Sequence, residues 1–129
     1  MKTASLAVAA ATLLAAGPAF ATGSILCRST ISPTDGPELW LVTGTAPGSG
    51  VVQARLVQGN QGFTTGEGQD APVLAQNWLD RASLRLVIID ANAEREIARL
   101  ETWRRAGTSY LGTLRYGGRT WRVRCSEEG

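Results

Sequence analysis

A chain of 129 residues with 13 lysines and arginines, 11 acids and no histidine carries a formal charge of +2. That is the length of one ordinary domain, and it is not globally basic. Without histidine, and with its single lysine at position 2, the sequence lacks the parts for Ser–His or Cys–His nucleophiles, Schiff-base lysines and ordinary zinc or copper sites.

The opening MKTASLAVAAATLLAAGPAFA reads as a secretory signal peptide over residues 1–21. Lys2 supplies the positive region, Leu6 to Ala16 the apolar segment, Pro18 the break, and Ala19-Phe20-Ala21 the small-x-small cleavage site. The apolar run is shorter than the ~20 residues a bilayer span needs. Cleavage after Ala21 leaves residues 22–129 as a single β-rich domain, periplasmic or secreted. Cys27 and Cys125 stand near its two ends, and an exported pair of cysteines reads as a disulfide tying the first strand to the last. Closing a loop of about a hundred residues is worth roughly 4–5 kcal/mol in the chain-entropy account.

Strand signals follow in order. ELWLVTG (38–44) and GVVQARLVQG (50–59) are short Val/Leu/Trp segments separated by the loop TAPGSG. GNQGFTTGEGQDAP (59–72) is rich in turn residues, with room for a short strand around Phe63. PVLAQNWLD (72–80) suits a strand or one or two helical turns, and SLRLVII (83–89) a buried strand. ANAEREIARLETWRRAG (91–107) supports two readings. Ala93, Ile97, Leu100 and Arg104 follow helical spacing with Gly107 as C-cap, which would make a short helix around 92–105. The polar DANAE turn and the flanking strands instead fit a hairpin returning along 95–104.

YLGTLRYGGRTWRVRC (110–125) is the clearest hairpin, turning at Gly117-Gly118. Pairing around that turn sets Tyr116 opposite Arg119, Leu114 opposite Trp121, Gly112 opposite Val123 and Tyr110 opposite Cys125. Leu114, Trp121, Val123 and Cys125 then share an apolar face, while Thr113, Arg115, Thr120, Arg122 and Arg124 take the other with Leu111. Gly112 leaves room for Trp121 or marks a bend. With strands about ten residues apart, the fold class is all-β: a small antiparallel β-barrel or sandwich closed by one disulfide.

The chemistry that remains is sparse. Asp35 with Glu38, and Glu67 with Asp70, could in principle act as acid and base, but such loop pairs are ordinarily solvated charges, and no enzyme is expected. DANAEREIARLE (90–101) places oxygens at calcium-loop positions, yet Arg95 stands where the sharp turn needs glycine. No phosphate-binding glycine motif occurs, so neither cofactor nor metal is expected. Charge is uneven: residues 22–80 hold two arginines against five acids, residues 81–124 ten against four. Arg115, Arg119, Arg122 and Arg124 therefore form the candidate contact surface, suited to carboxylates or phosphates. An acidic envelope protein, an anionic lipid headgroup or a polyanionic glycan would fit; the export signal argues against nucleic acid. The plain alternative is a solvated outer face balanced by acids on neighbouring strands. Of four tryptophans, Trp121 reads as core, and Trp78 is the candidate for an exposed stacking residue that holds a sugar ring or a partner.

AGTSY (106–110), followed by an aromatic hairpin and a late cysteine, resembles bacterial inhibitors of c-type lysozyme. Those are small periplasmic β-barrels with a disulfide and an S-G-x-x-Y loop that plugs the lysozyme cleft. Gly107 and Tyr110 match that motif; Ala106 stands in place of its serine, and the family's following lysine-glycine is missing. The resemblance implies inhibition through the 106–110 loop. The residues themselves point first to an exported noncatalytic β-domain that binds an envelope macromolecule through its arginine strands.

Overall fold

A computed structural model describes residues 23–46, 48–104, 107 and 109–128. The segment read as a signal peptide lies outside them. Nine strands follow one another: β1 (Gly23–Ser29), β2 (Glu38–Thr43), β3 (Val51–Gln58), β4 (Gln61–Thr64), β5 (Val73–Leu79), β6 (Ser83–Ile89), β7 (Glu96–Arg104), β8 (Tyr110–Tyr116) and β9 (Arg119–Glu128). They form one antiparallel sheet in the order β4-β3-β2-β1-β9-β8-β7-β6-β5, curled into a half-barrel. Two runs of hairpins, β1 to β4 and β5 to β9, meet where β1 pairs with β9, so the first and last strands lie at the middle of the sheet. The break falls between β4 and β5. There the sheet curls until Gly50, just before β3, meets Asn77 of β5, whose Oδ1 lies 2.6 Å from where a Cβ at position 50 would be.

Alternation builds the core. Leu39 and Leu41, Ala54 and Leu56, Leu84, Leu86 and Ile88, Ala98 and Leu100, Leu114, Trp121, Val123 and the two cysteines all point inward. Each large aliphatic side chain so buried stabilises the fold by roughly 1.5–3 kcal/mol before the entropy of ordering it is counted. Cys27 and Cys125 are directly opposite in the β1–β9 ladder, fully buried and disulfide-bonded. The bridge thus ties the first strand to the last.

The β8–β9 hairpin has the register read from the sequence, from Tyr116 opposite Arg119 to Tyr110 opposite Cys125. Gly117 and Gly118 turn it with φ of 64° and 75°, left-handed values that suit a two-residue primed turn. Gly112 marks a close approach to β7: a Cβ there would stand 2.7 Å from the Thr102 Cα and closer still to the Glu101 carbonyl oxygen.

Both open choices fall to strands. Residues 73–79 are β5, and within the segment around 92–105, read as a possible helix, Glu96–Arg104 form the strand β7. The reason is ladder satisfaction. β6 and β8 each present an edge of backbone donors and acceptors, and a strand between them pairs both. In that register Ala98, Leu100 and Thr102 are buried, and the Thr102 hydroxyl donates to the Leu84 carbonyl at 2.8 Å. The short strand expected around Phe63 is β4. No helix among the described residues is long and apolar enough to cross a membrane.

Candidate binding surface

The outer face of β5 to β9 is a grid fixed by register. One row runs Arg122, Thr113, Glu101, Arg85, Trp78 from β9 to β5. The next runs Thr120, Arg115, Arg99, Val87, Gln76. On the other side of the first, Arg28 of β1, Arg124, Leu111 and Trp103 form a third. Six of the eleven charged side chains of β5 to β9 sit on this grid: Arg85, Arg99, Glu101, Arg115, Arg122 and Arg124.

Its arginines divide into two groups. Arg99 bonds Glu96 at 2.6 Å and Glu101 at 3.5 Å, and Arg115 shares Glu96 at 4.0 Å. The Glu96 carboxylate beside Arg99 raises the guanidinium further above its usual range, with Glu101 adding to the effect. Arg28 pairs with Glu38 at 3.1 Å. In contrast, Arg85, Arg122 and Arg124 have no carboxylate within 4.0 Å among the described residues. The four arginines expected to act together are therefore split. Arg122 and Arg124 are outward and uncompensated, and Arg115 is outward but partly neutralised. Arg119 has the inward parity of Trp121 and lies over its indole, 4.3 Å from the ring centroid.

Trp78 is exposed, as expected, with 56% of its surface accessible. Its indole is held in place: Nε1 donates to Asp80 Oδ2 at 2.8 Å. The other Asp80 oxygen accepts from the backbone N–H groups of Ala82 at 2.8 Å and Ser83 at 2.7 Å. The Trp78 bond is the largest of the effects that hold this carboxyl below its usual range, followed by those of Ser83 and Ala82. The Arg85 guanidinium carbon lies 5.7 Å from the Trp78 ring centroid.

The sequence reading passed over Trp103, half-exposed on β7, and Trp40 on β2, less so. Parity was the available signal. Trp103 alternates with Thr102 and Trp40 lies between Leu39 and Leu41, so each must face outward once its neighbours go in. Trp103 is directly opposite Leu111, itself partly exposed beside Arg124. With Thr30, Thr113 and Arg122 these two line a shallow groove of about 540 Å³.

Gly107 is exposed, with φ of 128°, while Ala106 and Thr108 lie outside the described residues. Tyr110 is 2% exposed and faces inward; its hydroxyl donates to the Asp80 carbonyl at 2.8 Å, and the Arg104 guanidinium covers its ring at 4.3 Å. Burial pushes the phenol above its ordinary range.

Three of the loop and strand carboxylates have local structural partners. Glu38 is engaged by Arg28, and Glu67 accepts from Gln53 Nε2 at 3.4 Å. Asp90 accepts from the backbone N–H groups of Glu94 at 2.7 Å and Arg95 at 3.1 Å, closing its own turn. Comparisons with protein-family models, curated proteins and solved structures give no match to this chain.

Proposed function

We propose that the chain is an exported, noncatalytic binding domain whose outer β7–β9 face docks an acidic patch on an envelope protein. Export follows from the signal-peptide reading of residues 1–21, and a disulfide suits the periplasm or the exterior. One observation carries the choice of face. Arg122 and Arg124, with no acidic partner among the described residues, flank the exposed cross-strand pair Trp103–Leu111. Arginine and tryptophan are the residues that most often anchor protein interfaces, and uncompensated guanidinium groups attract carboxylates. A face meant only for solvent would be expected to balance its charge as β7 does.

The test uses mature, oxidised protein as bait for envelope extract at low and high salt, alongside R122Q/R124Q and W103A. A protein captured in proportion, weakened by salt and lost in both variants, supports the reading. Capture unchanged in R122Q/R124Q overturns it. Inhibition of a c-type lysozyme that survives both variants and is lost on changing Gly107 would move the function to the loop. Capture of anionic glycan or lipid in place of protein would replace the partner.

A further inference from the structure

A second groove lies on the outer face towards the open edge of the sheet, reaching from β7 to β5, with its Trp78 four strands from Arg122. Its floor is a block of six register-matched residues: Trp78, Arg85 and Glu101 along one row, Gln76, Val87 and Arg99 along the next. Its volume is about 560 Å³, within the roughly 300–1,000 Å³ typical of small-ligand sites. We infer that this groove binds a carboxylated sugar, its ring on the Trp78 indole and its carboxylate on Arg85.

Three features of the groove select that class. First, the aromatic surface is large, exposed and already oriented, because Asp80 fixes the indole nitrogen and backbone N–H groups fix Asp80. An indole face is electron-rich and attracts the polarised C–H groups on one side of a pyranose ring. Holding it in place beforehand removes an ordering cost from binding. Second, the polar lining is planar and mixed. The Gln76 amide, the Glu101 carboxylate and the Arg99 guanidinium offer donors and acceptors together, which suits adjacent hydroxyls better than a bare phosphate. Third, the charges leave one cation free. Arg99 and Arg115 are met by Glu96 and Glu101, whereas Arg85 has no carboxylate within 4.0 Å among the described residues. Arg85 lies over the Trp78 ring, 5.7 Å from its centroid, so a stacking sugar displaces the guanidinium towards the ring edge, where it receives the sugar carboxylate in a bidentate pair. Val87, between Gln76 and Arg99 in the next row, supplies a partly buried apolar floor.

The groove is independent of the arginine face on β9, and the experiment keeps the two apart. Mature, oxidised protein is titrated with trigalacturonate and with the neutral galactotriose, following tryptophan fluorescence and binding heat. Trigalacturonate should bind more tightly. W78A should weaken it by about tenfold or more, the loss of one stacked ring. R85Q should remove the preference for the acidic sugar, and R122Q/R124Q should leave both titrations unchanged. Binding of neither sugar up to about 10 mM overturns the inference, as does equal binding by W78A and the parent. Equal affinity for the two sugars in the parent overturns the assignment of Arg85.

Discussion

The two places where the hairpin runs meet are built in opposite ways. At the β1–β9 junction six residue pairs are in register, the disulfide crosses the ladder, and both cysteines are fully buried. At the β4–β5 break the edge strands are a four-residue β4 and a β5 interrupted by a register shift between Leu74 and Gln76, most of whose residues are exposed. Proline before β5 and the irregularity within it are ordinary ways of blunting an edge against further strand pairing. The difference assigns separate work to the two junctions. The first holds the curl of the sheet together, and the second leaves side chains of β5 and β6 free to meet something else.

The largest effect should come from cutting the closed junction. The disulfide spans 98 residues of sequence, for which the chain-entropy account gives about 4–5 kcal/mol. C27S/C125S should lose about that much in urea unfolding, a large part of the typical 5–15 kcal/mol net stability. A loss under about 1 kcal/mol would mean that the β1–β9 ladder alone closes the sheet. Next in size is Gly112→Ala. The new methyl would meet the β7 backbone around Glu101 and Thr102, which cannot swing aside like a side chain. A loss of about 1–3 kcal/mol is expected from the same unfolding curve. An unchanged midpoint would show that β7 and β8 are less closely apposed than this.

The sequence was most legible where alternation and turn chemistry agree. The last hairpin could be read residue by residue because Gly117-Gly118 sets the register and only one register puts Leu114, Trp121, Val123 and Cys125 together. β7 was ambiguous for a physical reason: Ile97 and Leu100 suit helical spacing as well as a strand, and the deciding term, the unpaired edges of β6 and β8, is non-local. The candidate surface was legible only in part. Outward parity identified Arg122 and Arg124, but whether an arginine is neutralised depends on acids of the neighbouring strand, as Arg115 of β8 and Glu96 of β7 show. The joining of Arg85, Trp78 and Glu101 into one row depends on three strands' registers and could not be read from any one of them.

Beside the closed junction, Tyr110 offers a smaller effect readable by pH. Its pKa is raised from 10.0 mainly by burial, so the folded state favours the neutral phenol. The sign follows: its contribution is complete below the unfolded value of 10.0 and declines as pH rises through the higher folded value. Stability should therefore fall above pH 10, and Y110F should flatten that decline while losing about 1 kcal/mol with the bond to the Asp80 carbonyl. An identical alkaline profile in Y110F would show that this phenol is not the titrating group.

At the open edge the expected effects on stability are smallest. Trp78→Ala removes an exposed side chain from an edge strand, and unfolding should shift by no more than about 0.5 kcal/mol. Its effect should appear in the titration of Asp80. That carboxyl is held below 3.8, and the indole bond is the largest cause. A depressed carboxyl stabilises the fold above its unfolded pKa and loses that contribution as pH falls through the folded value, so Asp80 acts below about pH 4. In W78A the Asp80 midpoint, followed by carboxyl carbon NMR, should move up towards 3.8 without reaching it, because the Ser83 and Ala82 N–H bonds remain. A midpoint that stays where it was would mean that the indole is not tethered in solution. The open edge would then lack the oriented ring that sets it apart from the other exposed tryptophans, and its groove would have no prior claim over the one beside Trp103.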